Sequence, residues 1–331
     1  MKETLETLVE GRTLSSGEAK DALTTIAGGE TSDALISAFL TIFLMRDITP
    51  GELLGFREAL LELSIPVKID SDILLDVCGT GGDGKDTFNI STAAAFVVAG
   101  AGITVIKHGN YGVSSACGSS NVLEYLGYHF SNRQDKLRQE AETAGITYLH
   151  APLFHPAMKK VAPVRKALRM KTFFNILGPM VNPARPTHQL IGVYDRKVQD
   201  LYASVYKNTG IRFKIIWATD GYDEISLTSD VRILSRDTEK ILSPGNLGFG
   251  KWHAEDLAGG KTVKESADIF LSVLRGEGTP AEQEVVLANA AMALKLCRPD
   301  KTFNECKEQA LESIASGKAM QSLTVLLKQQ S

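Results

Sequence analysis

Over residues 3–63 the apolar positions recur at helical spacing, and no run alternates as a strand would. Leu5, Leu8 and Val9 share one face. Ser15 or Ser16 is placed to cap a helix carrying Ala19, Ala22, Leu23 and Ile26, and Ser32 precedes an apolar helix over 34–45. Thr49 with Pro50 is a cap followed by proline at the first helical position. The pattern predicts a small helical domain over 1–66, left through Ser64, Ile65, Pro66 and Val67. From Ile73 the period changes. Short apolar runs at 73–78, 103–107, 128–130, 146–149, 189–194 and 213–218 alternate with helical patterns at 91–100, 119–127, 133–144 and 196–209. Alternation of this kind predicts an α/β domain with a mainly parallel central sheet, over 67–155 and 187–331. After Ser226 come further strand signals, a helix opened by Thr279, Pro280 and Glu282 ahead of an apolar run at 285–296, and a final helix over 303–316.

The stretch from His155 to Pro186 belongs to neither pattern. It holds Lys159, Lys160, Arg165, Lys166, Arg169, Lys171 and Arg185 among its prolines, and reads as short helices returning over 156–186 to the helical domain. A solvated charged face explains such a run as readily as a ligand site.

Two loops change the picture from architecture to chemistry. Residues 79–92, GTGGDGKDTFNIST, follow a strand and open a helix. Gly79, Gly81, Gly82 and Gly84 let several backbone N–H groups converge on one anion, and the helix N-terminus behind them adds partial positive charge. The turn matches neither GxxxxGK[ST] nor GxGxxG, and by itself it fits a plain strand-to-helix turn equally well. The second loop follows the run at 103–107 and reads KHGNYGVSSACGSSN from Lys107. In open α/β sheets ligands sit at the carboxyl ends of the strands, so both loops are expected at one crevice, with Lys107 facing an anionic group. Ser114, Ser115, Ser119 and Ser120 fit hydroxyl donors or ordinary caps and turn residues.

Composition narrows the class. A chain of 331 residues, 44% apolar, buries a substantial core, and a net charge of −3 gives no reason to expect nucleic acid. Cys78, Cys117, Cys297 and Cys306 show no CxxC spacing, so neither zinc nor a disulfide framework is expected, and a reduced cytoplasmic setting fits. No segment approaches the roughly 20 apolar residues that span a bilayer, and the first residues show no basic region followed by an apolar stretch, so no signal peptide is expected.

GTGGD at 79–83, NIST at 89–92, KHGN at 107–110, Ser114–Ser115, HPAMK through PVR at 155–165, FNILGP at 174–179, the NP at 182–183, Asp223–Glu224 and the NAA at 289–291 together resemble the anthranilate phosphoribosyltransferases of tryptophan biosynthesis. The resemblance spans essentially the whole chain. It implies a fold similar to the pyrimidine nucleoside phosphorylases, a homodimer paired through helical domains, and transfer of phosphoribose from 5-phosphoribosyl 1-pyrophosphate (PRPP) to anthranilate, with release of pyrophosphate. By the same resemblance the PRPP site is Gly79, Gly82, Asp83, Thr87, Asn89, Ile90, Ser91, Thr92, Lys107, His108, Gly109, Asn110, Ser114, Ser115 and Ser119. Two Mg²⁺ per subunit are implied, held by Ser91, Asp223 and Glu224, and anthranilate at Gly79, Asn110 and Arg165. Read without the resemblance, Asp223–Glu224 fits a solvated turn as well as a metal site. No obligatory acid or base is assigned, because a weakly basic arylamine attacks without prior deprotonation; His108 and His155 are expected to line the pocket or order its loops.

The chain departs from the commoner family pattern at Tyr111, where Arg is usual, and at Asn121, where an acid is usual; the two changes read as one swapped pair. His150 stands for Phe, and Arg169 and Lys171 for Gly and Arg. A pyrimidine nucleoside phosphorylase is the alternative, sharing the architecture but using inorganic phosphate and needing no paired acids for metal. A paralogue binding nucleic acid through the basic stretch is a second, opposed by the acidic balance.

Overall fold

The structure is a computed structural model and describes residues 1–112 and 117–329. Four helices open the chain, α1 (Lys2–Val9), α2 (Ser16–Ala27), α3 (Asp33–Met45) and α4 (Pro50–Glu62). Their starts follow from the caps: the Ser15, Ser32 and Thr49 side chains accept from the backbone three residues on, and Glu18 and Glu52 close capping boxes. Glu52 is fully buried, with Arg46 at 2.5 Å and the Leu14 N–H at 3.0 Å, so one carboxylate joins the α1–α2 link to the start of α4.

The rest is built on β1 (Leu74–Gly79), α5 (Ile90–Gly100), β2 (Thr104–Gly109), α6 (Ser119–Tyr125), α7 (Gln134–Ala144), β3 (Ile146–His150), α8 (Ala151–Phe154), α9 (Met158–Leu168) and α10 (Phe174–Leu177). Then follow β4 (His188–Gly192), α11 (Arg196–Tyr206), β5 (Arg212–Ala218), β6 (Val231–Leu234), β7 (Glu239–Leu242), α12 (Val263–Arg275), α13 (Pro280–Cys297), α14 (Phe303–Ala315) and α15 (Lys318–Lys328). The seven strands order as β3-β2-β1-β4-β5-β6-β7, parallel through β5 and antiparallel at β6 and β7. The chain winds outward from β1 to β3 and then restarts on the other side with β4, which makes the β1/β4 boundary the switch point.

Three expectations differ. The run at 128–130 is no strand: Tyr128 turns inward, and its hydroxyl donates to buried Glu140. The helix at 303–316 is not the last, because Gly317 at φ +75 allows a turn into α15. Helix α12 went unforeseen, although Thr262 and Glu265 form its capping box.

Two large apolar clusters organise the molecule. One lies between one face of the sheet, α5 and α13, whose residues from 285 to 294 are all buried. The other runs from α1–α4 through Val161, Val164, Phe173 and Phe174 to Tyr202 and Tyr206 on α11 and to Ile215 on β5. At its centre Phe56 stacks on Phe173 at 4.5 Å, with Phe39 and Phe43 edge-on around them. Helix α9 packs against α2 and α3.

Candidate functional site

A cavity of about 950 Å³ opens at the switch point, between the carboxyl ends of the strands and the α9–α10 segment. Its floor depends on two glycines. Gly79 and Gly192 are register partners at the ends of β1 and β4. A Cβ on Gly192 would lie 1.4 Å from the Asp223 carbonyl oxygen, and one on Gly79 would lie 2.2 Å from Asp223 Oδ2. Only the absence of both side chains lets the segment after β5 bring Asp223 against the end of β1. Beyond Gly79 the turn runs through positive φ at Gly81, Gly82 and Gly84, which a side chain would strain. Its far limb is pinned where Phe88 N–H bonds Leu257 O at 3.3 Å and Gly259 N–H bonds Asp86 O at 2.8 Å.

The acids sit inside this frame. Asp223 Oδ2 accepts from Gly81 N–H at 2.7 Å, and Glu224 Oε1 accepts from Ser91 N–H at 3.2 Å. Asp223 is buried and Glu224 half-buried, and with Asp83 they form a cluster of like charge. Burial and the Asp83 carboxylate push Asp223 up to about 7; burial, Asp223 and Asp83 push Glu224 well above the carboxylate range. Asn289 of α13 fixes the segment, accepting from Ile225 N–H at 3.1 Å and donating to Ile225 O at 2.9 Å. Lys107 reaches in from β2 and donates to Val77 O at 2.6 Å and Ser91 Oγ at 3.4 Å. Burial lowers its pKa, opposed by Asp76, Glu224 and Asp223. Beneath it Asp76, fully buried, accepts from His108 N–H at 3.2 Å and Asn182 Nδ2 at 3.0 Å.

Gly79, Gly82, Asp83, Thr87, Asn89, Ser91, Thr92, Lys107, His108, Gly109, Asn110 and Ser119 all line the cavity. Ile90 does not: its side chain is fully buried in the sheet core, leaving only its backbone at the start of α5. Ser114 and Ser115 lie outside the described residues.

The opposite wall comes from α9 and α10. Arg165 faces the cavity with its guanidinium 5.2 Å from the Phe174 ring centroid, and no acid pairs with it among the described residues. His108 and His155 meet edge to face at 5.3 Å. Burial, with His155 adding to it, holds His108 down at about 3, and burial holds His155 at about 4, so both rings are neutral at physiological pH. His108 Nδ1 lies 3.2 Å from Gly178 O, while Nε2 has no hydrogen-bond partner. Thr80 Oγ1, Asp83 Oδ2 and Asn89 Oδ1 are buried here without a partner as well. Orphaned polar atoms converging on one cavity are the signature of a site shaped for a polar ligand.

Residues 2–64 match the helical bundle domain of a glycosyl transferase family, and residues 71–320 match its a/b domain. The chain is 50% identical over 319 residues to the anthranilate phosphoribosyltransferase of Cytophaga hutchinsonii, covering 96% of this chain and 97% of that one. It belongs to the anthranilate phosphoribosyltransferase family. The structure of the Thermus thermophilus family member superposes with a TM-score of 0.93 at 31% identity, covering 99% of both chains. The Saccharomyces cerevisiae enzyme, solved in complex with PRPP and Mg, superposes with a TM-score of 0.91 at 28% identity, covering 99% of this chain and 96% of that one.

Within the anthranilate phosphoribosyltransferase family the departures acquire structural sense. Tyr111 and Asn121 do not bond each other. Tyr111 donates its hydroxyl to Glu124 at 3.1 Å and packs edge-on against His150 at 4.8 Å, and His150 stacks on Phe130 at 4.3 Å. Asn121 bonds backbone instead. Arg169 ends α9 at φ +52, the conformation for which a glycine is the easier choice, and Lys171 crosses to donate to Gly82 O at 2.6 Å. Sequence reasoning missed Asp76, Gly192 and the positioning role of Asn289. Asp76 had a signal, an acid in the otherwise apolar run LLDVC; Gly192 and Asn289 show their roles only through the backbone they approach.

Proposed function

We infer that the chain transfers the phosphoribosyl group of PRPP to the amine of anthranilate, giving N-(5′-phosphoribosyl)anthranilate and pyrophosphate. The observation that carries this reading is the polarity of the cavity: an anion cradle with Lys107 and an acid pair on the sheet side, and on the helical side a guanidinium with no acid partner among the described residues. The C1–O bond breaks with its electron pair going to pyrophosphate, and the amine nitrogen forms the new bond to C1 as an oxocarbenium-like charge develops on the ribose. The nitrogen then gives up a proton to solvent water. The N–H groups of the glycine turn, Asn89, Ser91, Thr92 and Lys107 are read as gripping the phosphates, and Arg165 with Asn110 as orienting the acceptor.

A divalent cation fits the acid side. Asp83 Oδ2 is orphaned, and Asp223 and Glu224 are crowded by like charge that a cation would relieve. Among the described residues no three His, Cys, Asp or Glu side chains close on one point, so a bound ion must draw ligands from water and substrate. That suits Mg²⁺, a hard ion that keeps several waters and shares phosphate oxygens. Ser91 with Glu224, and Asp223 with Glu224, would hold two ions, whose charge would stabilise the departing pyrophosphate. The same reading takes 1–66 with 156–186 as one domain, a homodimer as the assembly and the cytoplasm as the location. In support, all four cysteines are free thiols, and no described helix is long and apolar enough to cross a membrane.

Purified protein given Mg²⁺, PRPP and anthranilate is expected to consume anthranilate fluorescence; an unchanged signal with intact PRPP present would overturn the assignment. Because His108 and His155 stay neutral, kcat is expected to show no histidine limb between about pH 5 and 8. A transition near pH 6.5 that vanished in His108→Asn would contradict this.

A further inference from the structure

The loop after β2 begins and ends at two glycines that touch. A Cβ on Gly118 would meet Gly112 N at 2.2 Å and the Tyr111 carbonyl carbon at 2.6 Å, so the two limbs run in backbone contact. One side-chain oxygen spans them. Asn121 Oδ1 accepts from Gly112 N–H at 3.1 Å and from Gly118 N–H at 3.0 Å. The bond to Gly118 is an ordinary helix cap, since Asn121 is the third residue of α6. The bond to Gly112 is not; it crosses the loop and does nothing for the helix.

Both limbs lead to cavity residues. Upstream of Gly112, the Asn110 carbonyl accepts from Ser120 N–H at 3.2 Å and its Oδ1 accepts from Tyr111 N–H at 2.8 Å. Downstream, Ser119 Oγ sits 2.7 Å from the Tyr148 hydroxyl, which also bonds Ser120 Oγ at 2.8 Å. Gly112, Gly118, Asn110 and Ser119 all line the cavity. We propose that Asn121 is a positioning residue for PRPP, one amide oxygen that ties Gly112 to Gly118 and so fixes the spacing of the two limbs around the donor. The proposal rests on the reading of the cavity as a PRPP site. An aspartate would accept from the same two N–H groups, whereas alanine accepts from neither.

Three measurements on full-length protein decide it. In ligand-free Asn121→Ala, amide exchange at Gly112 and Gly118 should accelerate at least tenfold, and in Asn121→Asp it should stay within about threefold of wild type. Wild-type exchange at Gly112 in the alanine variant overturns the tie. The Kd for PRPP with Mg²⁺, by calorimetry, should rise about tenfold in Asn121→Ala with kcat within about threefold, and Asn121→Asp should restore it. An unchanged Kd, or a failed rescue with the amides still protected, overturns the positioning role. Thr302→Ala removes a cap on remote α14 and should leave Kd unmoved; an equal rise there would mark the effect as general loosening and sink the proposal. A wild-type protein that binds no PRPP would instead overturn the functional reading, while the exchange result would still judge the tie.

Discussion

Glu224→Gln is expected to lower kcat/KM for PRPP by about 10²-fold or more, because it removes one charge from the set that would hold the metal at the leaving group. The substitution keeps size and leaves Oε1 able to accept from Ser91 N–H, so folding should survive. Asp223→Asn should behave similarly while keeping its bond from Gly81 N–H. Raising Mg²⁺ should recover part of the loss, and the KM for anthranilate should change little. Wild-type kinetics at limiting Mg²⁺ in either variant would remove these residues from the metal's surroundings.

The same acids carry a stability signature. In the unfolded chain they titrate near pH 4, whereas burial and like charge push folded Asp223 up to about 7 and raise Glu224 well above the carboxylate range. The folded protein therefore holds more protons over that interval, and stability present below about pH 4 is lost as pH rises through the folded values. Asp223 faces Asp83 and the Gly81 N–H; Glu224 faces Asp223, Asp83, Lys107 and the Ser91 N–H. Between about pH 5 and 8 the melting temperature of ligand-free wild type should fall relative to Glu224→Gln, and Mg²⁺ with PRPP should remove the difference. Parallel melting curves for the two proteins would show that the acids carry no such repulsion.

Arg165→Ala is expected to raise the KM for anthranilate by on the order of 10²-fold, the usual cost of deleting one partner of a desolvated charge pair. Its guanidinium is largely withdrawn from water, lies over Phe174 and has no carboxylate partner among the described residues. An aromatic carboxylate would supply both missing elements, charge and a planar two-point acceptor. Arg165→Lys should fall between, because an ammonium keeps the charge and loses the fork. PRPP affinity should stay within about threefold in both. Equal defects toward donor and acceptor would show that the two walls of the cavity do not divide the substrates.

Much of this was legible in the residues because it is written locally. Ser15, Ser32 and Thr49 announce their helices through chemistry spent within three residues. The glycine turn and Lys107 are legible for the same reason, each following an apolar run. What stayed hidden depends on partners distant in sequence. Gly192 looks like any strand-end glycine until Asp223, from the next strand's loop, presses its carbonyl against it. Tyr111 and Asn121 looked like compensating changes on opposite sides of one loop, yet each found another partner. Tyr128 reads as strand by composition, but tertiary burial against Glu140 decides its place.

Phe173 fills the centre of the N-terminal helical cluster but is made more than a hundred residues after it. On a ribosome that builds the chain from its N-terminus, α1–α4 emerge with Phe39, Phe43 and Phe56 lacking their fourth ring. Nor do they yet have α11, whose Tyr202 and Tyr206 belong to the same cluster. The N-terminal segment must therefore wait, with aromatic surface uncovered, while β1 to β3 are synthesised. Helix α9, whose Val161 and Val164 join this cluster just ahead of Phe173, also carries Arg165, so the nascent chain completes its first-made helices and brings that guanidinium to the cavity in the same event.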